Sequence, residues 1–296
     1  MGTWHLHQFS YSSFLFYRIY RYKLDIYITK KRNLQKNFTS NQKMTRYLER
    51  LNPHQRDEKL RFDEKSHTYS FENTKLISST TLIHKLFRPF NADEIIHDMQ
   101  TSEFWTRNKY YPMTKEQIKT LWSKNSEEAM IQGTKLHADI ESYLNYEVIS
   151  NESKEFQYFL NFMKDTKFNP FRTEWKIFDE DFKIAGTIDA CSQDENEELS
   201  LFDWKRCKEI KRSNDYKKKF SIKDYLKHLE DVNFNHYSLQ LNLYKYMLEK
   251  KYNKKVKDMY LVVFHPQSIS QNYQIYQVPI MEQEIHNLMV DYRNSL

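Results

Sequence analysis

The sequence predicts an α/β domain, a central mixed sheet flanked by helices. Three observations predict it. Residues 173–178, 182–190 and 199–205 read as successive strands with short polar connections, the pattern of an antiparallel meander. Residues 133–146, 153–165 and 237–252 carry apolar side chains at helical spacing. Residues 259–265 form a nearly continuous apolar run suited to a sheet interior.

Composition agrees with a folded chain. Hydrophobic residues make up 39% of the 296 residues, and aromatics 16%, mostly Tyr and Phe. The mean hydropathy is -0.87, so the surface is very polar and the aromatics must supply much of the core. A disordered chain lacks them. The net charge of +6 is compatible with a polyanionic partner. Cys191 and Cys207 are the only cysteines. Two in a chain this long make no disulfide framework and point to a reducing, intracellular compartment. No apolar run approaches the ~20 residues of a membrane span.

In chain order, residues 1–43 stand apart as a basic N-terminal extension. Arg18, Arg21, Lys23, Lys30, Lys31, Arg32, Lys36 and Lys43 are set against one acid, Asp25. Such a segment reads either as an organelle transit peptide, placing the protein in the mitochondrial matrix, or as a dispensable extension ahead of Met44. In the second case the nucleus or cytoplasm is expected. Residues 44–296 read as one domain with a helical N-terminal portion and its catalytic core at about 131–296.

Residues 60–71 have the pattern of a hairpin turned at 63–67. Residues 76–82 read as a strand or a helix entry. Asn91 is placed as an N-cap, and Thr114 with Gln117 makes a capping-box signature. A separate helix is expected over 133–146, with Leu136, Ile140, Tyr143 and Leu144 on its apolar face. His137 and Glu141, four apart, stack at the edge of that face. Residues 206–230 form a basic, irregular insertion containing Arg206, Lys208 and Arg212, with Tyr216, Phe220 and Tyr225 interleaved. Interleaved cations and aromatics fit a nucleic-acid surface, and a solvated loop equally. An edge strand over 273–280 and a helix over 282–292 complete the chain.

The chemistry concentrates between Gly186 and Lys205. Asp189 ends the apolar part of one strand; Asp203 and Lys205 lie two apart on the next, so they share a face. Two carboxylates and an amine converging on a sheet suit metal-assisted phosphodiester cleavage: hard oxygen ligands for Mg²⁺, and a cation beside the strained phosphate. Glycine adds a hint. Of the three in the chain, the two internal ones, Gly133 and Gly186, both precede Thr.

The ordered set Gly133-Thr-Lys-Leu-His137, Gly186-Thr-Ile-Asp189, Asp203-Trp-Lys205 and Gln240-Leu-Asn-Leu-Tyr244 resembles the PD-(D/E)XK nuclease superfamily in its RecB-like branch. The resemblance implies a restriction-endonuclease-like core and a Mg²⁺-dependent deoxyribonuclease, with Mn²⁺ as a substitute. It implies action on single-stranded DNA or DNA ends, exonuclease before endonuclease, in replication, repair or recombination. It casts Asp189, Asp203 and His137 as metal ligands, joined by the main-chain carbonyl of Trp204. Lys205 becomes the residue that orients water or stabilises the transition state. Gln240 and Tyr244 hold the DNA strand or brace the site. Glu174 and Glu141 compete as the further carboxylate. Two cysteines cannot hold the four-cysteine iron–sulfur cluster of some relatives, so the chain is similar to cluster-free members, among them mitochondrial single-strand exonucleases and compact phage or large-virus nucleases. No Walker A signature is present, so no ATP-driven motor is expected. A catalytically silent DNA-binding module on the same fold and an RNA nuclease are the rival readings.

Overall fold

The computed structural model describes residues 46–214 and 218–296. The basic extension at 1–43, and Tyr216 of the insertion, lie outside the described residues. A short helix, α1 (Tyr47–Leu51), leads into a hairpin of β1 (Leu60–Asp63) and β2 (Thr68–Phe71). The turn forms because the Asp63 carboxylate accepts the backbone N–H groups of Lys65 and Ser66 at 2.8 and 3.2 Å, the local bonding that makes Asp a turn residue. The next stretch is both of the things its sequence allows. β3 (Thr74–Ser78) ends on Ser78, whose hydroxyl accepts the N–H of Thr81 and so caps α2 (Ser79–His84).

Asn91 caps α3 (Ala92–Thr101), and Thr114 with Gln117 closes a capping box on α4 (Lys115–Leu144). The sequence anticipates a separate helix beginning near Gly133; the structure has one helix of 30 residues. The reason is visible in burial. Residues 123–132 are exposed on every face, so this stretch offers no apolar stripe to read. The two ends dock on different partners. At the start, Lys115 and Lys119 reach Asp93 of α3 at 2.8 and 3.1 Å. At the end, Leu136, Ile140 and Leu144 are buried in the core. A helix whose middle is exposed on every side, Met130 and Ile131 included, bridges solvent between two docked ends, and one interior glycine costs it only about 1 kcal/mol.

α5 (Lys154–Asp165), capped by the Ser153 hydroxyl, precedes the meander of β4 (Pro170–Asp179), β5 (Ile184–Gln193) and β6 (Leu199–Lys205). The chain then passes through the insertion and α6 (Asn233–Lys251) to β7 (Val256–Val263), which lies parallel to β6. β8 (Gln274–Gln277) pairs antiparallel at the edge and α7 (Glu282–Arg293) ends the fold. The result is an α/β architecture with a mixed, open sheet ordered β1-β2-β3-β5-β6-β7-β8, with β4 paired to β5. The N-terminal hairpin and β3 belong to this sheet, so the sheet reaches back to residue 60.

One topological detail positions the site. β4 runs along one edge of β5, from Pro170↔Ser192 to Asp179↔Ile184. The other edge is shared. β3 pairs only with Ile184 and Ala185, and β6 only with residues from Ala190 to Gln193. Gly186 to Asp189 therefore face a gap where β6 has peeled away from β5.

Two hydrophobic clusters cover the sheet. In one, α2, α6 and α7 bury residues including Leu82, Leu243, Met247 and Leu288. In the other, α4 and α5 pack Ile140, Phe159 and Phe162 on Trp204, Val262 and Phe264. The aromatics do supply the core: Trp204 is 1% exposed and Phe159 and Phe162 0%, each burial contributing about 2–3 kcal/mol. Among the described residues no helix is long and apolar enough to cross a membrane.

Candidate metal centre

Asp189 sits where β5 loses its partner. Unpaired there, its Oδ2 reaches across the gap and accepts the backbone N–H of Trp204 at 2.8 Å. The Trp204 carbonyl accepts from Nε2 of His137 on α4 at 2.9 Å. A carbonyl can only accept, so Nε2 carries a proton. The other ring nitrogen, Nδ1, is turned towards two carboxylates, Asp189 Oδ2 at 3.7 Å and Glu174 Oε1 at 3.9 Å. One ligand atom from each of His137, Glu174 and Asp189 lies within 4.8 Å of the others.

Glu174 enters this group at a conformational cost. It lies inside β4, between residues paired with Ala190 and Ile188, so Asp189 is its cross-strand neighbour. Its φ is 43°, and among the described non-glycine residues with positive φ it alone lies inside a strand. The left-handed region costs an ordinary side chain about 1–2 kcal/mol, and such strain persists where the surroundings dictate it. The competing carboxylate is elsewhere: Glu141 Oε2 pairs with Arg46 Nη2 at 3.3 Å.

The charges in this cluster do not balance comfortably. Burial pushes the His137 imidazole down, but Asp189 and Glu174 outweigh it and hold the group up at about 9. Burial raises the Asp189 carboxyl despite the nearby His137 and Lys205. Asp203, 4% exposed, is pushed up to about 6 by burial, against the pull of Lys205. It lies outside the three-residue group, and its Oδ2 instead pairs with Lys205 Nζ at 2.5 Å. Burial lowers the Lys205 ammonium, yet Asp203 and Asp189 raise it above the ordinary lysine range, so it stays charged.

The remaining expected residues divide. Tyr244 is 3% exposed and accepts a hydrogen bond from Gln240 Nε2 at 2.8 Å. Its ring lies against Gly186, where an added Cβ would stand 2.4 Å from Cε1. Gly186 is therefore needed for close approach, and Tyr244 is a brace inside the fold. At Gly133 an added Cβ would meet nothing within 4 Å. Arg206 is held by Glu155, Nε to Oε1 2.8 Å. Lys208 is exposed, and so is Arg212, whose guanidinium lies 4.7 Å from the centroid of the Phe234 ring. Sequence reasoning gave no role to Tyr237, whose ring lies 4.6 Å from Lys205 Nζ. The available signal was spacing: Tyr237, Gln240 and Tyr244 fall at i, i+3 and i+7, one helix face.

No family model matches the chain, and no curated protein matches it. Solved structures that resemble it include one described as the crystal structure of SSO0001. It is 17% identical, covers 77% of this chain and 78% of that chain, and has a TM-score of 0.33. A likeness that loose carries no argument about function.

Proposed function

We propose that this chain is a divalent-metal-dependent DNA nuclease of the PD-(D/E)XK superfamily, RecB-like branch, on a restriction-endonuclease-like core. The observation that carries the reading is the convergence of His137, Glu174 and Asp189 on one point, with the Lys205–Asp203 pair on the next strand. The donor set fits Mg²⁺ or Mn²⁺: two hard carboxylates and one imidazole nitrogen. Two adjacent carboxylates beside a strained backbone are costly alone and are relieved by a cation.

A bound divalent cation supplies Lewis-acid polarisation of a phosphoryl oxygen. This chain's residues do the rest. Trp204 fixes the ring of His137 through Nε2, so that Nδ1, once deprotonated, presents a lone pair; a ligand histidine is commonly oriented this way. Glu174 and Asp189 offer their oxygens from neighbouring strands. Asp203 and the Tyr237 ring hold Lys205 in place, and its ammonium stabilises charge developing on the scissile phosphate. Single-stranded DNA or DNA ends are the expected substrates.

A time course on end-labelled single-stranded DNA, duplex DNA and RNA tests this. Cutting of DNA is expected with Mg²⁺ or Mn²⁺ and none with a chelator, while Lys205→Ala slows it by about 10²–10³-fold, the scale of losing one charge-stabilising group. No cutting of any nucleic acid, or equal rates for Lys205→Ala, sinks the proposal.

A further inference from the structure

Away from the metal centre, a cavity of about 1440 Å³ opens between α2, α3 and the basic insertion. Its lining mixes two chemistries. Phe87, Phe90 and Phe104 bring aromatic faces; Lys85, Arg88 and Lys219 bring cations. Phe90 is 73% exposed and Phe104 55%, so these two rings are not core residues that happen to border a void, whereas Phe87 belongs to the buried core and only backs the cavity. Phe90 leans on Trp122 of α4 with ring centroids 6.1 Å apart. Phe87 stacks on His236 at 4.0 Å and 24°. Exposed rings set among cations are what a single-stranded polynucleotide recognises, bases on the rings and phosphates on the cations.

Charge favours a polyanion. Two acids, Asp98 and Asp231, also line the cavity, but Asp231 bonds His236 at 2.9 Å. Exposed Lys211, Arg212 and Lys218 continue the positive surface from the insertion. The cavity also adjoins the site. His236 lines it, and the next residue, Tyr237, contacts Lys205.

We propose that this cavity binds single-stranded nucleic acid, stacking bases on Phe90 and Phe104 and neutralising phosphates with Arg88 and Lys219. The proposal rests on the nuclease reading and extends it to a strand-binding site beyond the metal centre.

Fluorescence anisotropy of labelled oligo-dT tests it, with Ca²⁺ in place of Mg²⁺ to suppress cutting. Phe90→Ala and Phe104→Ala are each expected to weaken binding about ten-fold, the scale of one lost base stack. Arg88→Ala lowers the log–log salt slope by about 0.7, one phosphate contact on a single strand. Thermal melts and affinity for blunt duplex stay at the wild-type level in all three variants. Oligo-dT binding unchanged in both Phe variants overturns the proposal, as does equal loss for duplex. If the wild type cuts DNA while these variants bind normally, the strand-binding site is wrong and the nuclease reading stands. If the wild type neither cuts nor binds any nucleic acid, both fall.

Discussion

Two charged clusters flank β4, and they are built on opposite terms. Behind the strand, Asp57 Oδ2 accepts from Arg172 Nη1 at 2.8 Å and from the N–H of His54 at 2.9 Å, while its Oδ1 accepts from Trp175 Nε1 at 3.0 Å. Arg172 also donates to the Asn52 carbonyl at 2.8 Å, and Arg56 clamps Glu180 and the Phe178 carbonyl. Each carboxylate there ends on a cation or a donor. In front, Glu174 and Asp189 lie side by side facing His137, Asp189 also accepts the Trp204 N–H, and Glu174 is held at a φ its side chain resists. A network whose carboxylates are paired, though Nε of Arg56 and of Arg172 is buried without a hydrogen-bond partner, fastens the N-terminal segment to the sheet. The other, with two carboxylates against one imidazole and a strained strand, is where the proposed cation would bind. The distinction between structural and functional buried charge lies in whether the protein completes the network itself.

That comparison can be broken in graded ways. The largest effect is expected at the cluster in front. Asp189→Asn lowers the DNA cleavage rate by about 10³-fold, roughly 4 kcal/mol of transition-state stabilisation, while the thermal midpoint holds or rises; steady-state cleavage beside calorimetry checks both. Next comes the cluster behind. Arg172→Met leaves the half-buried Asp57 without its cation, held by the N–H groups of His54 and Trp175, and costs about 2 kcal/mol of unfolding free energy, the scale of one charge-assisted hydrogen bond, read by urea titration, while folded variant still cuts. An activity loss in Arg172→Met beyond its unfolded fraction would put Arg172 in the catalytic machinery and erase the distinction.

A smaller effect separates strain from chemistry. Glu174→Gly relieves both the positive φ and the repulsion from Asp189, so stability rises by about 1 kcal/mol even as cleavage is lost. Unchanged or lower stability would mean that the strand conformation is not imposed on Glu174. A further effect is a pH dependence beside Arg56. The hydrogen bond to Arg56 holds the Glu180 carboxyl down at about 2, against 4.5 ordinarily. A depressed carboxylate contributes stability that is present above 4.5 and fades as pH falls from 4.5 towards 2. Glu180→Gln therefore loses less stability than wild type over that window in urea titrations, and matches it if the pair contributes nothing.

Much of this arrangement could be read from the residues, and what could not has physical causes. Caps at Asn91 and Thr114 are local events, one side-chain oxygen against one nearby N–H, so short patterns reveal them. The β4–β5–β6 meander follows from short polar turns. The continuity of α4 was hidden because its middle packs against nothing and leaves no periodicity. That Glu174, and not Glu141, groups with His137 and Asp189 depends on a positive φ and a cross-strand register, neither of which a composition or a spacing encodes. The parallel pairing of β3 with Ile184 and Ala185 joins residues a hundred positions apart, and with it comes the gap in front of Asp189. Asp203 and Lys205 were placed on one face correctly, but their strongest relation is to each other.

Mn²⁺ titration by isothermal calorimetry tests the central claim most directly, because it asks about the cluster in front without asking about catalysis. The wild-type chain is expected to bind Mn²⁺ in a saturable manner, with affinity falling below detection in Glu174→Gln/Asp189→Asn and persisting in Arg172→Met. Binding that survives in the double variant, or is absent from the wild type, would contradict the account.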